Sequence, residues 1–353
     1  MGRNARYYDI VTIITLVLLS SFGLFLLLTI NTSLFWQQLI YVVIGGVLFF
    51  LFSKFDVVFL RWLVPFAYVF GNIFLVTSYF GPVIRGARRW IIIAGNQLQP
   101  SELVKPLMLF VFAFVISKYP PNKLVNILIN LAVFIVPFLL IFKQPDLGTS
   151  LVYASMWIGM MIMGGLSLPL VFGGIGVGIA GLPLIWRVLA EYQKSRIYTF
   201  LDPLQDPRGT GYNAIQAMIA VGSGEFFGRG LGLGTQSHLR FLPEYYTDFM
   251  FATLVEELGF VGGALLIGLY GILLWRLLQP LIAKTIHHRL ATIYTIGLFM
   301  MLLTQITINS GMNMGILPVT GITLPLVSLG GSSILSIAVS YGILWAIAFE
   351  GRG

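Results

Sequence analysis

Apolar runs about 18 or more residues long recur about ten times along this chain, and little else in it is compatible with water. A run of that length spans the hydrocarbon of a bilayer as a helix. The backbone polar groups of such a segment must then be satisfied within it. Helical spans are predicted at 9–30, 35–52, 57–79, 100–118, 124–142, 147–164, 168–189, 248–275, 290–311 and 325–349. The balance of 58% hydrophobic to 10% charged residues leaves no soluble domain outside them, so residues 1–353 read as a single integral membrane domain. The fold class is an all-α polytopic membrane protein. The first run is too long for a signal-peptide core and lacks a small-residue cleavage site. With no cysteine, disulfides, thiol nucleophiles and thiolate metal sites are excluded.

Ten crossings put both termini on one side. Ten Lys and Arg gather there against Asp9, Asp56 and Glu350, whereas the other side holds eleven basic and ten acidic residues. The positive-inside rule therefore places both termini in the cytoplasm and the loops 80–99 and 190–247 outside, in a plasma (inner) membrane protein. The net charge of +8 reflects that asymmetry and implies no nucleic-acid partner. Loop 190–247 is long, and its content of Phe, Tyr, Leu and Ile argues for a packed rather than a solvating segment. Residues 212–221 predict an interfacial amphipathic helix, and Gly228 to Gly234 (GRGLGLG) a flexible or tight-turning segment. No repeat of fixed period marks transporter halves.

Polar chemistry concentrates between Gly222 and Gly259. Asp248 opens the span after this loop and has two readings. It is a helix cap accepting backbone N–H groups, or an interfacial carboxylate that meets a ligand, where partial desolvation makes it a better base. Glu102 and Lys105, three residues apart, share one helical face. They form a neutralising ion pair, a polar cavity wall, or both. Arg85, Arg88, Arg89 and Trp90 make a basic and aromatic cluster suited to interface anchoring or to clamping a diphosphate with forked donors. Lys194, Arg196, Arg208, Arg229 and Arg240 add charge on the same side. Asp146 reads as a cap, at least one of Glu256 and Glu257 must face protein, and Asn309, Ser310 and Asn313 read as interhelical hydrogen-bonding groups. Gly315 to Ser333 predicts a packed re-entrant or interfacial turn. His238, His287 and His288 lack metal-site spacing.

GARRWI at 86–91, QPSELVK at 99–105, QPDLGTS at 144–150, GTQSHLRFLPEYYTDFMFA at 234–252, EELG at 256–259 and ILPVTGITLPLVSLGGSS at 316–333 resemble the signature blocks of the SEDS family (shape, elongation, division and sporulation). The blocks span nearly the whole chain in the family's order. Residues 144–150 and 234–237 are closer to RodA and the elongation branch than to the division branch. Leu329 departs from the small residue or Tyr usual before the paired glycines.

The resemblance implies a ten-helix peptidoglycan glycosyltransferase that polymerises lipid II in cell elongation and cell-shape maintenance, beside a class B penicillin-binding protein as transpeptidase. It places the essential aspartate on Asp248 and the intramembrane ion pair on Glu102 and Lys105. It associates activity with Mg²⁺ or another divalent cation, though no motif here fixes a metal site. The expected substrate-binding set is Arg88, Glu102, Lys105, Arg196, Gln236, Ser237, Glu244 and Thr247, with Asp146 and Glu257 as structural polar groups and the active site on the periplasmic face. The chemistry suits the residues: a carboxylate takes the acceptor hydroxyl's proton, and positive charge stabilises the departing lipid diphosphate. The main alternative is a lipid II flippase, in which Asp248 only caps its helix. An ion-coupled transporter and a scaffold complete the set.

Overall fold

The structure, a computed structural model, describes residues 9–84, 87–93, 95–189, 191–207, 209–286 and 288–348. Arg85, Arg208 and His287 lie outside the described residues. Three long helices come first: α1 (Ile10–Ile30), α2 (Thr32–Ser53) and α3 (Val57–Thr77). Each starts on a side chain able to accept a backbone N–H: Asp9 from Val11, Asn31 from Ser33 and Asp56 from Val58. A two-stranded antiparallel hairpin follows, β1 (Ile91–Ile93) with β2 (Asn96–Leu98), pairing Ile91 with Leu98.

The predicted span 100–118 is two pieces, α4 (Pro100–Leu103) and α5 (Lys105–Lys118). Pro106 has no N–H to give the carbonyl of Glu102, so the helix is interrupted beside the buried pair. Next come α6 (Leu124–Lys143), α7 (Leu147–Met163), α8 (Leu168–Ala180) and α9 (Leu182–Val188). The predicted span 168–189 is thus broken at Gly181. The long loop carries α10 (Glu191–Leu201), α11 (Tyr212–Ser223), which matches the predicted interfacial helix, and α12 (Thr235–His238). The chain closes with α13 (Met250–Ile282), α14 (Arg289–Asn313) and α15 (Gly331–Ala348). Among the described helices, α1, α2, α3, α6, α13, α14 and α15 are long and apolar enough to cross a membrane, while α7 and α8 are shorter apolar helices.

The most enclosed spans are α14 and α15: α14 packs on α5, α7 and α13, and α2 lies along α15. Outward faces remain oily, as at Trp36, Ile40, Val43 and Val47 of α2, where lipid is the solvent. Two interruptions shape the end of the bundle remote from Ile10 and Ala348. The first is in α13, at Gly259, whose φ of 69° and ψ of −166° are available essentially only to glycine. There the backbone of residues 225–230 lies against the break. Arg229 and Gly230 donate to the carbonyls of Glu256 and Glu257, and Phe260 and Val261 donate to those of Glu225 and Phe226. These four bonds re-satisfy backbone groups that the break frees, as membrane depth requires.

The second interruption is the segment 314–330 between α14 and α15, where the sequence predicts a packed turn over 315–333. Its backbone is tied down by side chains from across the bundle. Arg196 donates to Thr320 O (2.9 Å), Asn309 to Ile322 O (2.6 Å), Tyr270 to Pro325 O and Gln38 to Ser328 O (2.9 Å).

Candidate active site

A cavity of about 330 Å³ opens at that end of the bundle. Its walls include α2 with Gln37 and Tyr41, the hairpin and its flanks with Arg89, Gln97 and Gln99, the loop end Glu244 to Asp248, the turn with Gly321, Thr323 and Gly330, and the start of α15 with Gly331 to Ser333. Glu102 lines it from α4.

Asp248 sits two residues before α13, and the helix takes its cap position from Phe249, which offers no side-chain cap bond. The carboxylate instead lines the cavity. Gly321 faces it from the turn. A Cβ built on Gly321 would lie 3.3 Å from Asp248 Oδ2 and 3.8 Å from Arg89 Nη2, so carboxylate and guanidinium flank a single point. At φ 77°, Gly321 adopts a backbone that side chains resist, and its bare α-carbon keeps that point open.

Arg89 is held from behind. Its Nη1 lies 3.7 Å from Asp146 Oδ1, and both side chains are largely buried. Asp146 also caps α7 through Thr149 N (3.1 Å) and accepts from Gln99 Nε2 (2.7 Å), so the predicted cap is at once an anchor for the cavity arginine. Gln99 is fixed in turn by Ser101 and, through its backbone N–H, by Ser332 Oγ. Glu102 and Lys105 form the expected ion pair, Nζ to Oε1 2.5 Å. The side chains are 7% and 1% exposed, and Glu102 Oε2 is buried without a hydrogen-bond partner.

The expected substrate-binding set divides accordingly. Glu102, Glu244 and Thr247 line the cavity with Asp248, and Lys105 stands behind Glu102. Thr247 Oγ1 donates to Glu244 Oε2 (2.9 Å). Arg88 lies outside this cavity wall: it is exposed and donates to Tyr79 O at 3.4 Å. Neighbouring side chains on non-helical backbone leading into a strand face opposite ways, which turns Arg89 inward and Arg88 outward. Arg196 holds the carbonyl of Thr320 and lines a separate cavity of about 280 Å³ on the other side of the turn.

Gln236 and Ser237 are not among the residues that line the cavity with Asp248. Glu256 accepts from Gln236 N (2.9 Å) and Thr235 Oγ1 (3.2 Å) and lies 3.4 Å from Ser237 Oγ. Glu257 accepts from Gly232 N (3.0 Å) and meets His238 Nε2 at 2.9 Å. Both glutamates are fully buried and fasten the loop to α13. Sequence reading missed Gln37 and Tyr41. A Gln37–Gln38 pair in the first turns of an apolar span was the available signal.

Among the described residues, no three Asp, Glu or His gather closely enough to hold a metal ion.

The model of the cell cycle protein family FtsW/RodA/SpoVE matches residues 5–353. The chain belongs to this family. As one of its members, the chain is 41% identical over 288 residues to the peptidoglycan glycosyltransferase MrdB of Escherichia coli (strain K12), covering 80% of this chain and 77% of MrdB. Its fold is similar to that of Thermus thermophilus rod shape determining protein RodA, with a TM-score of 0.73 at 26% identity over 98% of both chains. It is also similar to a chain of a peptidoglycan synthase complex described for its coordination of polymerization and crosslinking (TM-score 0.83, 27% identity, 97% of both chains).

Proposed function

We propose that this protein is a peptidoglycan glycosyltransferase that polymerises lipid II, with Asp248 as its base. The observation that carries this is the placement of the Asp248 carboxylate in the cavity wall, beside the Arg89 guanidinium and across from a glycine. A carboxylate serving only its helix would sit at the cap position, which Phe249 occupies.

In this reading the acceptor sugar's hydroxyl enters between Asp248 and Gly321. The carboxylate takes its proton as the oxygen bonds to the donor's anomeric carbon, and the bond from that carbon to the lipid diphosphate breaks with its electron pair leaving on the diphosphate. Arg89 offers fixed donors to the charge that develops there, and a planar fork suits phosphate oxygens better than an ammonium does. Asp146 and Gln99 hold that fork in place. Glu244, Thr247, Gln97 and Gln99 supply polar contacts for the sugars. Among the described residues no cluster of three Asp, Glu or His forms a self-contained metal site; a divalent cation held by the diphosphate and one carboxylate would add positive charge at the leaving group.

The charge asymmetry of the loops supports a cavity on the outer face with both termini cytoplasmic. A class B penicillin-binding protein is the fitting partner, given the likeness to a chain of a polymerising and crosslinking complex.

The test is purified protein, with and without that transpeptidase, given lipid II in detergent. Wild type is expected to make glycan strands and Asp248→Asn none, with lipid II binding retained. Strand formation by Asp248→Asn at the wild-type rate would refute the assignment. Detergent removes the two leaflets, so a flippase gives no product in either case.

A further inference from the structure

Asn309 and Asn313 lie one turn apart on α14, fully buried, and they bind the main chain of the catalytic residue rather than a neighbouring helix's side chains. Asn309 Nδ2 donates to Asp248 O (2.9 Å) and to Ile322 O (2.6 Å). Asn313 Nδ2 donates to the same Asp248 O (3.1 Å) and to Asn309 O (2.8 Å), while its Oδ1 accepts from Ala252 N (3.1 Å).

We infer that Asn309 and Asn313 are positioning residues for glycosyl transfer, fixing where the Asp248 carboxylate stands relative to the cavity wall that faces it. The inference rests on the proposed role of Asp248. Three features of the bonding support it.

An amide nitrogen carries two N–H donors, and each asparagine uses both on carbonyls. Serine, aspartate or an apolar residue cannot make that double donation. The carbonyl of Asp248 takes one bond from each, so the α-carbon bearing the carboxylate is tied twice to α14, one of the most enclosed spans of the bundle. Asn309 also spans the site: one hydrogen holds Asp248 and the other holds Ile322, whose neighbour Gly321 forms the opposite wall. A single side chain therefore sets the gap into which a hydroxyl must fit.

The third feature concerns Ala252, whose N–H is among the first of α13 and has no partner within the helix. Asn313 satisfies it from another helix, doing what an N-cap side chain ordinarily does in cis. Capping from α14 separates the two duties that the sequence assigns to Asp248, and the carboxylate keeps its place in the cavity.

Substitutions resolve positioning from glue. Asn313→Asp keeps the acceptor for Ala252 and loses the donors to Asp248. Asn309→Ala loses both donors. Initial rates of lipid II consumption against lipid II concentration, normalised to folded protein by size-exclusion chromatography, separate kcat from KM. A displacement on the order of 1 Å at a reacting group costs up to about 10²-fold in rate. The expected result is kcat down tenfold or more in both variants, with KM within threefold of wild type.

Unchanged kcat per folded molecule in both variants overturns the inference, whatever happens to yield or melting temperature. A raised KM at wild-type kcat also overturns it, since that assigns the asparagines to binding. Asp248→Asn in the same series isolates the underlying reading: if it polymerises normally the base assignment fails, and if only the asparagine variants do, the positioning role fails.

Discussion

Replacing Lys105 with methionine leaves the Glu102 carboxylate without its partner inside the bundle. The two side chains are 1% and 7% exposed and meet at 2.5 Å, and Glu102 approaches water only through the cavity it lines. At an effective dielectric near 20, attraction at that separation is about 6–7 kcal/mol. Desolvation removes several kcal/mol per ion, so the intact pair is near neutral in its net effect on stability. Breaking it is another matter. A single removal costs about 3–5 kcal/mol, because one charge stays buried without compensation. Glu102 Oε2 is already without a partner, so no second donor waits to take over. Lys105→Met and Glu102→Gln are each expected to lose that amount, and Glu102→Gln/Lys105→Met to recover most of it. Unfolding in mixed micelles, followed by intrinsic fluorescence, gives the double-mutant cycle. If the double variant loses the sum of the singles to within about 0.5 kcal/mol, the pair is not coupled and the account of its burial is wrong.

Gly259→Ala is expected to be among the most damaging changes in α13: an added Cβ would stand 2.3 Å from Gly228 N at a backbone angle closed to alanine, and folded yield should fall sharply on size-exclusion chromatography. Gly321→Ala strains a left-handed backbone but meets no contact under 3.3 Å, so turnover per folded molecule should fall more than folded yield, and a wild-type polymerisation rate would contradict the proposed hydroxyl site. Glu256→Ala strips the acceptor from Gln236 N and Thr235, at about 1–3 kcal/mol for each donor left unmade, and should open the segment 232–242 to proteolysis at concentrations that spare wild type. Arg89→Ala should lower polymerisation far more than Arg88→Ala, a contrast that product gels can read directly.

The sequence alone determined the membrane class, most span positions and the carboxylate to which the proposed chemistry is assigned. Apolar length is a property of consecutive residues, and a carboxylate at the lip of a span is visible wherever the chain folds. It also paired Glu102 with Lys105, because three-residue spacing on a helix fixes which side chains meet. Its reading stopped where partners are distant in sequence. Arg89 rather than Arg88 faces Asp248 because of how the chain enters β1. Gln236 and Ser237 serve Glu256 because the loop closes onto the break at Gly259. Whether Asp248 caps a helix or faces a cavity turned on Asn313, more than sixty residues away, supplying the missing acceptor. Local pattern records what a residue is able to do, and the tertiary fold decides which of its possible bonds another residue has already made.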